Sequence, residues 1–547
     1  MTGTRVAGEA SSGRGLSRHL GTWLRDEIVI IAILVGSFLA RWLLSGWNSY
    51  WLDELYSVAV YGRWNDGAIE AVRNLAENSV HPPLYQFTLF HWMNWFGDSE
   101  AATRTLSNLY VTLATLCLYA LLRHAFARRV ALASAAIFAL MYLPFYYALE
   151  TRSYAQTVFL VTLSSYLLSR MLRSGASSGW RVTLLSPPAI LFTVTNAALL
   201  LTHYYTVFFW VAQAAFVGVF VLREWPVRRW LPGLGTAIGM YLLQGAIFAV
   251  VWGRVLIDDV DRRADAYPVE GRVLSPGELL LDSVVYPNID PPRLVAWAGL
   301  VAAILLLARS LVELARGRGL SVDRQRAWSV AYLVAWLVLP MVAVYIVFST
   351  LGVERYNMRY FLFCVVPLAP LVVLTVEEAV RQVGRAWRRV RGSELPAATP
   401  AVVTVVVIAT LILPGTYRAA TATKDDWRGS VQRVVDVVHA DEDSRYIVLE
   451  ASHRDMSLAT FYFEKFSDSV RVHEPLSIDE EREGELRTLA RVEPVIAEHD
   501  YLILLFPHLG TADFPDTLEW LGERYDLHHP QLDSRGRGFI VFAVDQQ

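Results

Sequence analysis

Long apolar runs, separated by short polar segments rich in arginine, fill the first three quarters of this chain. About eleven of them are long enough to cross a hydrocarbon core of ~30 Å as helices, near 28–46, 102–122, 130–148, 154–172, 182–202, 204–222, 232–252, 294–311, 327–349, 360–380 and 400–417. On hydropathy alone the two runs flanking His203 also read as one long helix. After residue 417 the pattern changes. Short β-rich runs occur at Tyr446–Leu449, Tyr501–Phe506 and Phe539–Val544, with helical periodicity such as Trp427–Val438 between them. The pattern predicts an α-helical polytopic membrane protein with about eleven transmembrane helices over residues 1–417, followed by a small α/β domain over 418–547.

Composition agrees: 54% of the 547 residues are hydrophobic, only 18% are charged, and 18 are tryptophan, which excludes a soluble globule. Arginine placement tests the topology independently, because short cytoplasmic loops retain positive charge. With the amino terminus inside, the cytoplasmic segments hold Arg5, Arg14, Arg18 and Arg25; Arg123, Arg128 and Arg129; Arg170, Arg173 and Arg181; Arg223, Arg228 and Arg229; Arg309 to Arg326; and Arg381 to Arg391. The alternation holds at every loop and requires a break at His203. No cleavable signal pattern is visible, so the first span is expected to be an uncleaved anchor in the plasma membrane. The outer face then carries loops at about 47–100 and 253–293 and the region from 418 onward. That last region holds 26 acidic and 14 basic residues, a net charge of −12 that suits a saline exterior or simply an ordinary solvated surface.

Several classes of chemistry are unsupported. Cys117 and Cys364 both fall within apolar runs, so no disulfide framework braces the exterior. There is no Walker loop, no HExxH and no Cys/His cluster with zinc spacing, which argues against an ATP-driven pump or a metalloprotease. No nucleic-acid partner is expected. Asp258, Asp259 and Asp261 form an acidic group, but Arg262 and Arg263 follow at once, and local charge pairing is the better reading. No metal is expected to be required, with a divalent cation near Asp53 as the open alternative.

The first outer loop carries the candidate chemistry. Asp53 and Glu54 follow the first span by a few residues, amid Trp47, Tyr50, Trp51, Tyr56, Tyr61 and Trp64, which suit segments resting at headgroup level. A carboxylate held there is poised to act as a base on a lipid-linked substrate. Out of context, an Asp-Glu pair is more often a helix cap or a solvated loop. His81, followed by Pro82 and Pro83, offers a donor or cation on a fixed backbone, and is equally read as part of a rigid turn.

Taken in order, WLDEL at Trp51, HPPLY at His81, ALETRSYA at Ala148, LTHYY at Leu201, RYFLFCVVPLAP at Arg359 and KDDWRGSV at Lys424 resemble the landmarks of type C (GT-C) glycosyltransferases. The nearest group is the family 39-like enzymes related to protein O-mannosyltransferases and aminoarabinose transferases. The resemblance spans nearly the whole chain and implies an inverting transferase that moves a sugar from a polyprenyl-phosphate donor to an acceptor hydroxyl at the outer face. Asp53 matches the family's acidic position and would be the general base; Glu54 would orient the acceptor or hold a basic neighbour. His81 matches a position that is Lys or His in related enzymes. With Arg152 and Arg359 it is expected to bind the donor phosphate, where negative charge accumulates. Arg152 also reads as a partner of Glu150, and Arg359 as a helix-end anchor. Tyr56, Tyr85, Tyr154, His203 and Tyr204 are candidate substrate-lining residues, the last two also explicable as packing. The expected partners are the polyprenyl-phosphate-sugar donor, the bilayer, and a protein, glycan or lipid acceptor.

Three rivals are weighed against this reading. A secondary transporter or lipid flippase would show broken helices or an internal repeat with charges near the midplane, and no convincing repeat is visible. A ligase or polymerase would use a diphosphate-linked oligosaccharide instead. A binding module anchored by a bundle would not need so many spans.

Overall fold

In the computed structural model, residues 12–544 are described, apart from 80, 179–185, 226–229, 259–273, 289–292, 317–320, 352–356, 394–398, 453–456 and 478–481. Asp259, Asp261, Arg262 and Arg263 lie outside the described residues, as do Arg5, Arg181, Arg228, Arg229 and Arg318. Along the chain run α1 (Ser12–Leu44), α2 (Leu52–Leu55), a π-helical stretch (Tyr56–Arg63), α3 (Ala68–Asn78), α4 (Leu84–Phe96), α5 (Glu100–Arg123), α6 (Arg128–Leu140), α7 (Tyr142–Tyr147) and α8 (Tyr154–Ser178). There follow α9 (Pro187–Leu200), α10 (Thr206–Glu224), α11 (Trp230–Phe248), α12 (Arg293–Ala315), α13 (Val322–Leu351), α14 (Leu368–Arg391), α15 (Thr399–Ala420) and α16 (Trp427–Ala440). Contacts gather the chain into two compact units. One comprises Met1–Leu43, Asn78–Tyr85 and Thr105–Thr421; the other comprises Leu44–Glu77, Gln86–Arg104 and Ala422–Gln547.

The first unit is a helical bundle, and among the described residues the apolar runs of the sequence are largely helical. Among the described residues, five helices are long and apolar enough to cross a membrane, and Met358–Val365 with Leu368–Arg391, bent by 54°, would make a sixth. The count of eleven spans is therefore not established by the helices themselves. α6 and α9, with 13 and 14 residues, rise only roughly 20 Å. The run expected to be continuous over 130–148 breaks at Met141, whose backbone is extended, because the Asn288 side chain takes the Leu143 N–H that a continuous helix would have used (2.9 Å). The break at His203 is present, with α9 ending at Leu200 and α10 starting at Thr206.

Buried polar groups lock the bundle. Arg41, fully buried on α1, donates from Nε to Asn108 Oδ1 (2.7 Å), from Nη1 to the Ala139 carbonyl (3.0 Å) and from Nη2 to Thr112 Oγ1 (3.0 Å), joining α1, α5 and α6. A second network connects Ser164, Asn196, Gln213, Gln244 and Tyr332 across α8 to α11 and α13. In a medium without water, such groups must find partners within the bundle.

In the second unit Leu44–Glu77 and Gln86–Arg104 pack with the carboxyl-terminal region around a buried ion group. Glu54 is 0% exposed. Its carboxylate accepts from Arg104 Nε (2.9 Å) and Nη2 (2.7 Å), and from Lys424 Nζ (3.1 Å). Arg104 spends its other donors on the backbone carbonyls of Ser45 (2.8 Å), Asn48 (2.7 Å) and Ser49 (2.9 Å), so all five guanidinium N–H groups are used. Tyr50 lies under the guanidinium, receives its own backbone tie to Tyr462 Oη (2.9 Å) and is fully buried.

The KDDW segment accounts for the junction residue by residue. Lys424 reaches Glu54; Asp425 binds His508 and Arg537; Asp426 caps α16 by accepting the Gly429 N–H (3.0 Å); Trp427 is buried. A Cβ at Gly429 would stand 2.3 Å from the Asp426 carboxylate, so a larger residue there would push the cap aside. Beyond it lies a five-stranded mixed sheet, with β1 (Tyr446–Ser452), β2 (Leu476–Ser477), β3 (Tyr501–Phe506), β4 (Asp526–Leu532) and β5 (Gly538–Ala543) in the order β2-β1-β3-β5-β4. β1 pairs in parallel with β2 and β3, and the β4–β5 hairpin joins antiparallel at β3. The predicted strands at 446, 501 and 539 are the three central ones. The small α/β domain is thus present, with two strands more than its sequence suggests.

Two consequences are measurable. Glu54→Gln leaves Arg104 and Lys424 without their counter-ion and is expected to destabilise the second unit by about 3–5 kcal/mol, whereas Glu54→Gln combined with Arg104→Met costs less than the two single changes summed. Thermal unfolding in nanodiscs tests this, and strict additivity would refute it. Glu450, fully buried on β1, is pushed by burial from 4.5 up to about 7, against the opposing hydrogen bonds of Ser457 and the Ala459 N–H. Its proton therefore favours the folded state: the contribution is full below pH 4.5 and is lost as pH rises through about 7. Unfolding curves between pH 5 and 8 should accordingly flatten in Glu450→Gln.

Candidate active site

Four connections of the first unit bring polar side chains together. The His81-Pro82-Pro83 segment enters α4, and the Leu84 N–H donates to the Leu201 carbonyl (2.9 Å), which pins it beside the α9–α10 connection that carries His203. Arg152 sits in the tight turn between α7 and α8, where its N–H donates to the Glu150 carbonyl (2.9 Å) and Ser107 Oγ donates to the same oxygen (2.6 Å). Arg359 lies in the 3₁₀ turn Met358–Phe361, capped by Asn357, which accepts the Arg359 N–H (3.1 Å). Each residue is thus held by its backbone, not merely by side-chain packing.

Arg152 Nη2 and His81 Nε2 are 2.8 Å apart. A guanidinium has no acceptor, so Arg152 donates and His81 Nε2 accepts, which leaves the imidazole neutral in this contact. His81, expected as a donor or a cation, acts as the acceptor in this contact, where the positive charge is that of Arg152. Around them the His203 ring stands 6.0 Å from His81, 5.6 Å from Tyr154, 5.9 Å from Tyr205 and 5.7 Å from Tyr360. The Arg359 guanidinium lies 6.0 Å from the Tyr154 ring and 5.6 Å from that of Tyr360. Burial, reinforced by the charges of Arg152 and Arg359, lowers the His203 pKa to about 3 and keeps that ring neutral. Two guanidinium groups framed by aromatic rings and neutral imidazoles suit an anion whose oxygens take several donors at once.

His81, Arg152, Arg359, Tyr154 and His203 are therefore neighbours. Tyr204 turns away: its hydroxyl accepts from Trp252 Nε1 (2.9 Å), and the ring presented to the cluster is that of Tyr205, whose centroid lies 4.8 Å from that of Tyr360 with the two rings tilted by 36°. Tyr205 and Tyr360 are the residues that sequence reasoning missed, although both adjoin residues it singled out. Tyr85, also in this unit, is buried on α4.

Asp53, Glu54 and Tyr56 belong to the second unit. On α2, Asp53 and Glu54 point in different directions, as successive helical residues must. Glu54 is buried on Arg104 and Lys424, which matches the second of the two roles open to it, holding a basic neighbour. Asp53 is half-buried, its backbone carbonyl accepting from Ser57 Oγ (3.1 Å). Tyr56 stacks on Tyr61 at 6.1 Å. Of the acidic group in the second loop, Asp258 faces Arg254 at 3.9 Å. Among the described residues no three His, Cys, Asp or Glu side chains gather as metal ligands.

Comparison with known proteins gives this arrangement a context. Residues 80–252 match the family described as dolichyl-phosphate-mannose-protein mannosyltransferase. The fold is similar to that of ArnT from Cupriavidus metallidurans in the apo state, at 11% identity over 94% of this chain and 98% of that one, with a TM-score of 0.51. The same enzyme bound to undecaprenyl phosphate aligns at 12% identity, with equal coverage and a TM-score of 0.50. The archaeal oligosaccharyltransferase AglB from Archaeoglobus fulgidus is a looser likeness, at 13% identity over 96% of this chain and 75% of that one, with a TM-score of 0.44. No curated protein sequence matches the chain. Residues 80–252 thus resemble that mannosyltransferase family, and the chain as a whole shares the fold of ArnT, a multi-pass membrane protein architecture.

Proposed function

We propose that the protein transfers a sugar from a polyprenyl-phosphate donor to an acceptor hydroxyl at the outer face of the cell membrane, with its amino terminus in the cytoplasm. The observation that carries this reading is the group formed by Arg152, His203 and Arg359, fixed donors beside His81, which accepts from Arg152, where a lipid phosphate would be received as it departs. The ArnT structure bound to undecaprenyl phosphate supports the same class of carrier. In the reaction the acceptor oxygen attacks the anomeric carbon, its proton passes to the Asp53 carboxylate, and the bond from that carbon to the phosphate oxygen breaks with inversion. Polyprenyl phosphate leaves with the bonding pair. No step is routed through a metal. The acceptor class is a protein, a glycan or a lipid head group.

Transfer of radiolabelled sugar by purified protein in lipid, with a membrane extract as acceptor, tests the reading. Asp53→Asn is expected to lower transfer by ~10²- to 10⁴-fold while leaving the melting temperature and the binding of bare polyprenyl phosphate unchanged. Comparable transfer by that variant would remove Asp53 from its role. Arg152→Gln should weaken binding of polyprenyl phosphate by roughly 10- to 100-fold, as befits a charge-assisted hydrogen bond, and equal binding would contradict the phosphate assignment. Failure of the native protein to release label from any phosphate-linked donor would favour a diphosphate-linked donor or a transporter.

A further inference from the structure

One donor within the cluster has no described partner. The His203 side chain is 5% exposed, and its Nε2 has no hydrogen-bonding group within reach among the described residues. The other ring nitrogen fixes what Nε2 must be. Nδ1 accepts the Tyr205 backbone N–H at 3.3 Å, so Nδ1 holds a lone pair, and the proton of the neutral ring resides on Nε2. The ring is kept from gaining a second proton by burial and by Arg152 and Arg359 nearby. The result is a neutral N–H, buried and unmatched, on a ring ringed by His81, Tyr154, Tyr205 and Tyr360.

Packing alone does not account for it. A phenylalanine would make the same ring contacts without burying an unsatisfied donor, a cost that proteins generally avoid. Resting on the donor-phosphate reading above, we infer that His203 Nε2–H donates a hydrogen bond to a phosphoryl oxygen of the lipid-linked donor, complementing the charged donor Arg152. His81 and His203 then divide their work: His81 accepts and orients Arg152, while His203 gives its proton to the ligand. The pair adds directional hydrogen bonding without adding positive charge, so the departing polyprenyl phosphate is held for transfer yet is not trapped by a third or fourth cation.

The experiment measures binding of bare undecaprenyl phosphate to the full chain in nanodiscs. His203→Phe keeps the ring and deletes the donor, and is expected to weaken binding by about 10- to 100-fold; His203→Gln, whose amide restores an N–H at nearly the same position, should recover most of it. Equal binding by native protein and His203→Phe, with Arg152→Gln still impaired, would overturn the role of His203 alone. A loss confined to the sugar-bearing donor would overturn it too, by assigning the N–H to the sugar. No binding by the native protein would bring down the donor-phosphate reading and this inference with it. Should His203→Phe fail to fold, ¹⁵N spectra of histidine-labelled native protein give the answer directly, with the His203 signal identified by its loss in His203→Gln. The expected signature is a neutral Nε2–H tautomer whose proton moves downfield on adding undecaprenyl phosphate; an Nδ1–H tautomer, or no shift, would refute it.

Discussion

The guanidinium of Arg104 is the constraint on which the second unit depends. Three of its contacts hold the backbone at Ser45, Asn48 and Ser49, and its fork closes on Glu54. Burying those charges is tolerable only because every donor has an acceptor and the carboxylate has two cations. One consequence concerns the neighbouring residue. With Glu54 turned inward and fixed, Asp53 must lie on another side of the same helical turn, so the two adjacent carboxylates meet different surroundings. Glu54 is fully buried and holds the loop; Asp53 is half-buried.

The first unit solves a related problem by sparing charge. Arg152 and Arg359 bring positive charge to the group, while His81 serves as an acceptor and His203 stays neutral. Elsewhere in the bundle Arg41 donates to neutral oxygens of Asn108, Thr112 and Ala139. Buried arginines in this chain are thus held in two ways: Arg104 closes on a carboxylate, whereas Arg41 meets neutral oxygens.

Much of the fold was legible because lipid and sheet cores impose simple patterns. Apolar runs became helices, arginine alternation required the break at His203, and the three central strands were visible as Val-, Ile- and Phe-rich stretches. What failed had particular causes. The break at Met141 does not interrupt hydropathy, and its determinant, Asn288, lies 145 residues beyond the Leu143 whose N–H it takes. β4, with the sequence DLHHPQL, is almost wholly exposed and becomes a strand only by pairing with β5. The landmark motifs singled out His81, Arg152, His203 and Arg359, which are neighbours, yet in a connection without periodicity they led to Tyr204, whereas the ring beside His203 is that of Tyr205. Nor could they separate Glu54 from Asp53, since that distinction is made by Arg104, 50 residues further on.

The reach of the contacts around Glu54 has a consequence in time. Arg104 follows Glu54 by 50 residues, but Lys424 follows it by 370, and Tyr462, which receives the Tyr50 N–H, comes 412 residues after Tyr50. At the usual pace of ~5–20 residues per second, a chain emerging from the ribosome waits roughly 20 to 70 s between making the carboxylate and making its second cation. Throughout that interval the loop bearing Asp53 lacks its full set of anchors. A chain truncated before its last quarter would insert its helices and still leave that loop unfinished, so the carboxyl-terminal region acts as the clasp that completes a segment made at the very start of synthesis.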